Sequence, residues 1–188
     1  EYDDLADLLG EMAPADQERM LGVMDVDDAD VVRRLLSYEE GTAGGLMTPE
    51  VIILGPDATV AEALAQIRDP DWVVSIATQV FVTQAPYTAP TGKLVGVVHV
   101  QRLLREPPPM ELGRLVSNDP TVAPDSSDRE VAEMLASYDL LAVAVTDETG
   151  RLLGAVTVDD VIDRMLGEGW RANHRRRRNS SADTAVSP

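Results

Sequence analysis

Near the end of this 188-residue chain three carboxylates, Asp159, Asp160 and Asp163, open a short amphipathic helix. Hard divalent cations need clustered oxygen ligands, so the group is a candidate ion site, and magnesium, calcium and manganese all favour such donors. Acids at a helix start also oppose the positive end of the helix, which accounts for them without any ion. The charge of the whole chain bears on the choice. Its 33 acidic and 16 basic residues give a net charge of −17, and five of the basic ones, Arg171 and Arg175 to Arg178, lie beyond residue 170. Residues 1–170 therefore carry −21. A body so acidic repels nucleic acid and repels itself, and divalent cations are the natural screen. Asp3, Asp4, Asp7, Asp25, Asp27, Asp28 and Asp30 offer an opposing acidic surface near the N-terminus, although spacing selects none of them.

Other chemistries are poorly provided for. There is no cysteine, which excludes thiolate zinc sites, disulfides and thiol redox chemistry. The histidines are His99 and His174, and no nucleophile elbow, Gly-x-x-x-x-Gly-Lys loop or HExxH motif is present, so no catalysis is expected. An apolar content of 44% suffices for a packed core. The longest apolar runs, such as Leu140 to Val145, are far shorter than the roughly 20 residues that cross a bilayer, and no signal-peptide pattern opens the chain. A start at Glu1 without methionine predicts a fragment or a processed chain.

The elements that must position the acids come from a duplication. The segment GKLVGVVHVQRLL from Gly92 returns as GRLLGAVTVDDVI from Gly150, each copy reading as a glycine turn, a strand and a helix. Upstream, Thr59 to Glu62 and Ser127 to Glu130 have capping-box spacing, each soon after a Pro-Asp pair. The first module is predicted as a strand near Val51 to Leu54, a helix from Thr59 to Arg68, strands near Ala77 to Thr83 and Lys93 to Val98, and a helix from His99 to Arg105. QAPYTAPTG between its last two strands is expected to be a surface loop. After Pro107-Pro108-Pro109 the second module follows: a strand near Val122, a helix from Asp128 to Tyr138, strands at Leu141 to Val145 and Leu152 to Val156, and a helix from Val158 to about Leu166. Unalternating Leu, Ala and Val suit strands covered on both faces.

Residues 1 to about 40 read as three short helices: one with Leu5, Leu8, Leu9 and Met12 inward, one opened by Pro14 with Met20, Leu21 and Met24 inward, and one capped by Asp27 or Asp28 with Val31, Val32, Leu35 and Leu36 inward. A Gly44-Gly45 turn is expected to reverse the chain before Leu46-Met47-Thr48-Pro49. His99, which aligns with Thr157 of the other copy, is expected to be a partly buried cap of its helix. Beyond Trp170 the Arg, Asn and Ser composition predicts a disordered tail, whose arginines attract anions nonspecifically or fold back on the acidic body.

The repeated strand, capped helix, two strands and helix resemble a tandem pair of CBS domains between about Leu46 and Glu168, an α+β fold of β-α-β-β-α repeats. With EEGTAGGLMTPEV, Glu39 to Val51, the chain resembles the cytosolic region of MgtE-type magnesium transporters. The expected division is a helical segment at 1–45, CBS domains at 46–109 and 110–170, and a tail at 171–188. The resemblance implies a magnesium-responsive regulatory module with no pore of its own. It would be cytoplasmic, at or near the inner face of the cell membrane, homodimeric through the CBS domains, and partnered by a membrane transport protein rather than a specific nucleic acid. The metal positions it implies fall on Asp139, Asp160, Asp163, Glu168 and the Ala136 carbonyl, with Asp159 adjacent. It also implies an adenine-nucleotide cleft for ATP or AMP. There the second copy keeps Thr157 and Asp160, the first has His99 and Arg102 in their places, and Arg102 is read as a phosphate contact or an exposed helix arginine. An adenosine-ligand sensor and a ligand-free interaction module remain the alternatives.

Overall fold

A computed structural model describes residues 2–166. Three helices lead the chain: α1 (Tyr2–Gly10), α2 (Pro14–Leu21) and α3 (Val26–Leu35). Pro14 opens α2 as its spacing predicts, because a first-turn residue needs no amide hydrogen. The cap of α3 is Asp25 rather than Asp27 or Asp28, which lie in the first turn. The inward faces are also narrower than expected: Leu9, Leu21, Val32 and Leu35 are buried, whereas Leu8 and Met20 are largely exposed.

Gly44 and Gly45 lie within a one-turn helix, α4 (Ala43–Leu46), rather than in a reversing turn. Their size is still required. A Cβ on Gly44 would lie 2.5 Å from the Tyr38 ring, and one on Gly45 would lie 2.7 Å from the Glu39 carbonyl.

The first module comprises β1 (Ile53–Leu54), α5 (Val60–Ile67), a 3-10 turn (Ile76–Thr78), β2 (Gln79–Thr83), β3 (Leu94–His99) and α6 (Val100–Leu103). The second comprises β4 (Thr121–Val122), α7 (Asp128–Ser137), β5 (Ala142–Thr146), β6 (Leu152–Thr157) and α8 (Val158–Leu166). In each sheet the first strand runs parallel to the middle one and the last antiparallel to it, and a register shift recurs at Val82/Thr83 and at Val145/Thr146. Both capping boxes form, at Thr59 with Glu62 and at Ser127 with Glu130. Strands β2 and β6 are buried throughout, as their unbroken apolar character requires.

The modules are interlocked by their leading segments. Thr48, ahead of the first module, exchanges backbone hydrogen bonds with Ala155 of β6, both 2.9 Å. Ser117, ahead of the second, does the same with Val97 of β3 at 2.8 and 3.1 Å. Each leader thus lies beside a strand of the other module. These crossings explain the second glycine of each repeat. A Cβ on Gly96 would stand 2.7 Å from the Ser117 carbonyl, and one on Gly154 would run into the Thr48 carbonyl. Gln79 adds a buried tie between the sheets, its Nε2 donating to the Ala142 carbonyl at 3.2 Å.

The helical segment is not a separate body. Leu9, Val32 and Leu35 share one core with Val131, Leu135, Val143 and Val156 of the second module. A second core gathers Phe81, Val80 and Val98 of the first module with Leu112, Leu152 and Ala155. The acidic ends of α1 and α8 are therefore held on one scaffold.

Candidate functional site

The start of α8 is built by a reciprocal cap. The Asp160 amide donates to Thr157 Oγ1 at 3.3 Å, while Asp160 Oδ2 accepts from the Thr157 hydroxyl at 2.6 Å and from the Thr157 amide at 3.1 Å. Thr157 is buried. Glu62 and Glu130 have the same capping geometry at exposed positions, and backbone and hydroxyl hydrogen bonds hold both below the usual carboxylate range. Asp160 moves the other way. Burial raises its carboxyl, the Thr157 hydrogen bonds oppose the rise, and the charges of Asp159 and Asp163 add to it.

Around this helix start lies a cleft of about 400 Å³. Its acids come from four separate stretches: Asp3 and Asp4 of α1, Glu50 after the Thr48 crossing, Asp69 and Asp71 after α5, and Asp159, Asp160 and Asp163 of α8. Among the described residues no lysine or arginine lines it. Trp72, Val73 and Ile76 supply an apolar wall, and Thr48, Ser75 and Thr157 supply hydroxyls. The helical segment is fastened at the rim, where the Tyr2 amide donates to Glu50 Oε2 at 3.2 Å. The Tyr2 hydroxyl donates to Asp28 at 2.5 Å, and that bond, ahead of burial, pushes the phenol up to about 12.

A second cleft, of about 780 Å³, shares Asp3, Asp4, Asp160 and Asp163 with the first and extends along α1 to Asp7, Glu11 and Glu40. Among the described residues Arg164 is the one base that lines it. Burial raises the Asp7 carboxyl there, Arg164 lowers it, and Asp4, Glu40 and Glu11 raise it further. Of the seven acids near the N-terminus, Asp3, Asp4 and Asp7 are the ones that line these clefts.

The expected site residues fall into separate places. Asp159, Asp160 and Asp163 stand together in the first cleft with Thr157. Asp139, at φ +53°, and Ala136 are exposed at the end of α7 and do not line it. Glu168 and the basic tail lie outside the described residues. In the first module His99 occupies the N-cap of α6, but its side chain makes no cap hydrogen bond; Nε2 instead pairs with Asp119 Oδ2 at 2.7 Å. Arg102 is held by Glu106 at 2.8 Å. His99 and Arg102 thus lie in the other module, apart from Thr157 and Asp160. Among the described residues no three His, Asp or Glu side chains form a ready coordination group, so the carboxylates line the cleft without converging on one point.

Glu50, Asp69, Asp71 and Trp72 were not legible as site residues, because only packing between distant segments brings them to the cleft at α8. One signal was available. Aligning the two repeats sets Gln101, Arg102 and Arg105 against Asp159, Asp160 and Asp163, so the helix starts differ in charge although their apolar pattern is kept.

Two sheets of this topology, joined by exchanged leaders, define a tandem pair of small α+β modules. The CBS domain pattern matches residues 43–108 and 112–167, and the chain belongs to the CBS domain family. Within it the chain is 33% identical over 177 residues to the magnesium transporter MgtE of Thermus thermophilus, covering 92% of this chain and 38% of that protein. It is 31% identical over 138 residues to MgtE of Enterococcus faecalis, covering 73% of this chain and 29% of that one. The cytosolic domain of the Mg2+ channel MgtE, solved in complex with ATP, superposes with a TM-score of 0.76 at 35% identity, covering 86% of this chain and 65% of that one. The leading helices and CBS pair thus match the cytosolic region of MgtE, and the chain spans well under half the length of the curated transporters. Among the described residues no helix is long and apolar enough to cross a membrane.

Proposed function

We propose that this chain is a cytoplasmic regulatory module that responds to magnesium through the acidic cleft between its helical segment and second CBS module, and that it acts on a membrane transport protein. The observation that carries this reading is the lining of the first cleft: eight carboxylates from separate stretches of chain, with no base among the described residues that line it. Carboxylates so placed repel one another in a partly desolvated cleft, and a divalent cation bound among them favours the closed arrangement over a parted one. Magnesium suits this donor set because it keeps several waters and needs only one or two direct carboxylates, so acids on different walls can share it. Asp160 and Asp163 are the central donors, with Asp159 beside them. Asp139, Ala136 and Glu168 belong to this proposal only by family resemblance.

Thermal unfolding tests the reading, since a ligand that binds only the folded chain raises its apparent stability. Magnesium should raise the melting temperature well above a sodium control of matched ionic strength. Asp160→Asn, and separately the pair Asp159→Asn with Asp163→Asn, should reduce the increment. Equal responses to magnesium and sodium would refute the proposal.

A second reading is favoured by Trp72, Val73 and Ile76 lining the same cleft as Thr157 and Asp160, a combination that suits the base and ribose of an adenine nucleotide such as ATP or AMP. Its phosphates would meet acids in this cleft, so stabilisation by ATP or AMP in metal-free buffer is the result that would favour it.

A further inference from the structure

We propose that Arg164 is a built-in counter-ion of the cleft between α1 and α8, and that its fixed positive charge sets how strongly the chain depends on a divalent cation. The proposal rests on the cation reading above. Arg164 projects from the last turn of α8, and its Nη1 lies 2.7 Å from Glu40 Oε1, a residue 124 positions earlier in the chain. Nη2 lies against Gly41, 3.6 Å from where a Cβ would stand, at a turn whose φ of +77° favours glycine. The carbonyl of Gly41 accepts the Asp128 amide at 3.0 Å, and Asp128 and Asp7 are both within the guanidinium's electrostatic reach. One side chain thus faces acids of α1, of the segment after α3 and of α7.

The Glu40 ion pair alone would matter little, because the two side chains are 40% and 79% exposed, and exposed pairs contribute at most about 1 kcal/mol. The position of the charge matters more. Among the described residues Arg164 is the one base lining a cleft with seven carboxylates, so it offsets part of the repulsion that a bound ion would otherwise neutralise. A fixed cation and a diffusible one acting on the same acids oppose each other: the guanidinium stabilises the docked arrangement without metal and weakens metal binding to it. The aligned residue of the first repeat is Glu106, which pairs with Arg102 of its own helix, so this contact is specific to the second module.

The test is a magnesium titration of the whole chain, read as melting temperature at constant ionic strength, for the unsubstituted protein, Arg164→Gln, Arg164→Lys and Glu40→Gln. Arg164→Gln should melt lower in chelator, gain more from magnesium, and reach half its gain at a concentration lower by about fivefold or more. Arg164→Lys keeps the charge and should titrate like the unsubstituted chain. Glu40→Gln removes an acid and should need more magnesium. If Arg164→Gln only lowers the melting temperature and leaves the midpoint in place, or if Arg164→Lys behaves like Arg164→Gln, the counter-ion role is overturned while the cation reading stands. An unsubstituted chain that does not respond to magnesium overturns both.

Discussion

Three carboxylates in this molecule accept the same capping hydrogen bonds and differ in how they titrate. Glu62 and Glu130 are exposed and held low by their hydrogen bonds, whereas burial raises Asp160. Asp147 joins the first group, held low by the Arg151 and Thr149 amides and the Thr149 hydroxyl. The signs follow from linkage. A lowered carboxyl contributes stability that is present above its unfolded pKa and is lost as pH falls through its folded one. A raised carboxyl, as at Asp160 and Asp7, opposes folding at neutral pH and ceases to do so on protonation. Stability without metal should therefore rise as pH falls from neutral through the raised carboxyls of Asp160 and Asp7, and should drop once pH falls below the ordinary carboxylate range of about 4. Urea denaturation across this range checks the prediction. The double substitution Glu62→Gln and Glu130→Gln should flatten the acid limb and leave the neutral one unchanged.

At the scale of elements, the paired glycines of the repeat do structural work that composition conceals. Gly96 and Gly154 sit mid-strand, where glycine ordinarily weakens a sheet, and each is required because another backbone crosses there. Gly154→Ala should destabilise the chain by about 1 to 3 kcal/mol, since the obstruction is the Thr48 backbone rather than a side chain that can move aside. Gly10→Ala is the control. Its Cβ would make an ordinary contact, 3.8 Å from Leu36 Cδ2, so that change should be neutral or mildly stabilising in the same denaturant titration. A comparable loss at both positions would contradict the crossing as the cause.

For the whole molecule, the open question is what covers the outer helices. Leu104 at the end of α6 and Ile162, Met165 and Leu166 on α8 expose apolar side chains, a surface that a second copy of the chain would cover. A homodimer through that face is expected, and sedimentation equilibrium at micromolar concentration should give twice the chain mass. Substituting Met165 and Leu166 with glutamate should return it to monomer without lowering the magnesium response per chain if the acidic clefts act within one copy. A chain that sediments as a monomer at all concentrations would refute the dimer.

Much of this architecture was already legible in the residue order. Capping boxes, helix faces and the glycine-led strands act over a few residues, so local spacing is enough to reveal Thr59 with Glu62, Ser127 with Glu130, and the two copies of the repeat. The acidic start of α8 was visible for the same reason. Tertiary structure alone decided which acids face it. Thr48 pairs with Ala155 across more than a hundred residues, and that long-range backbone contact, invisible to any periodicity, brings Glu50 to α8, where the Tyr2 amide meets it. Arg164 finds Glu40 by the same route. Local hydrogen bonding set the elements, and packing between distant segments set the charge of the clefts.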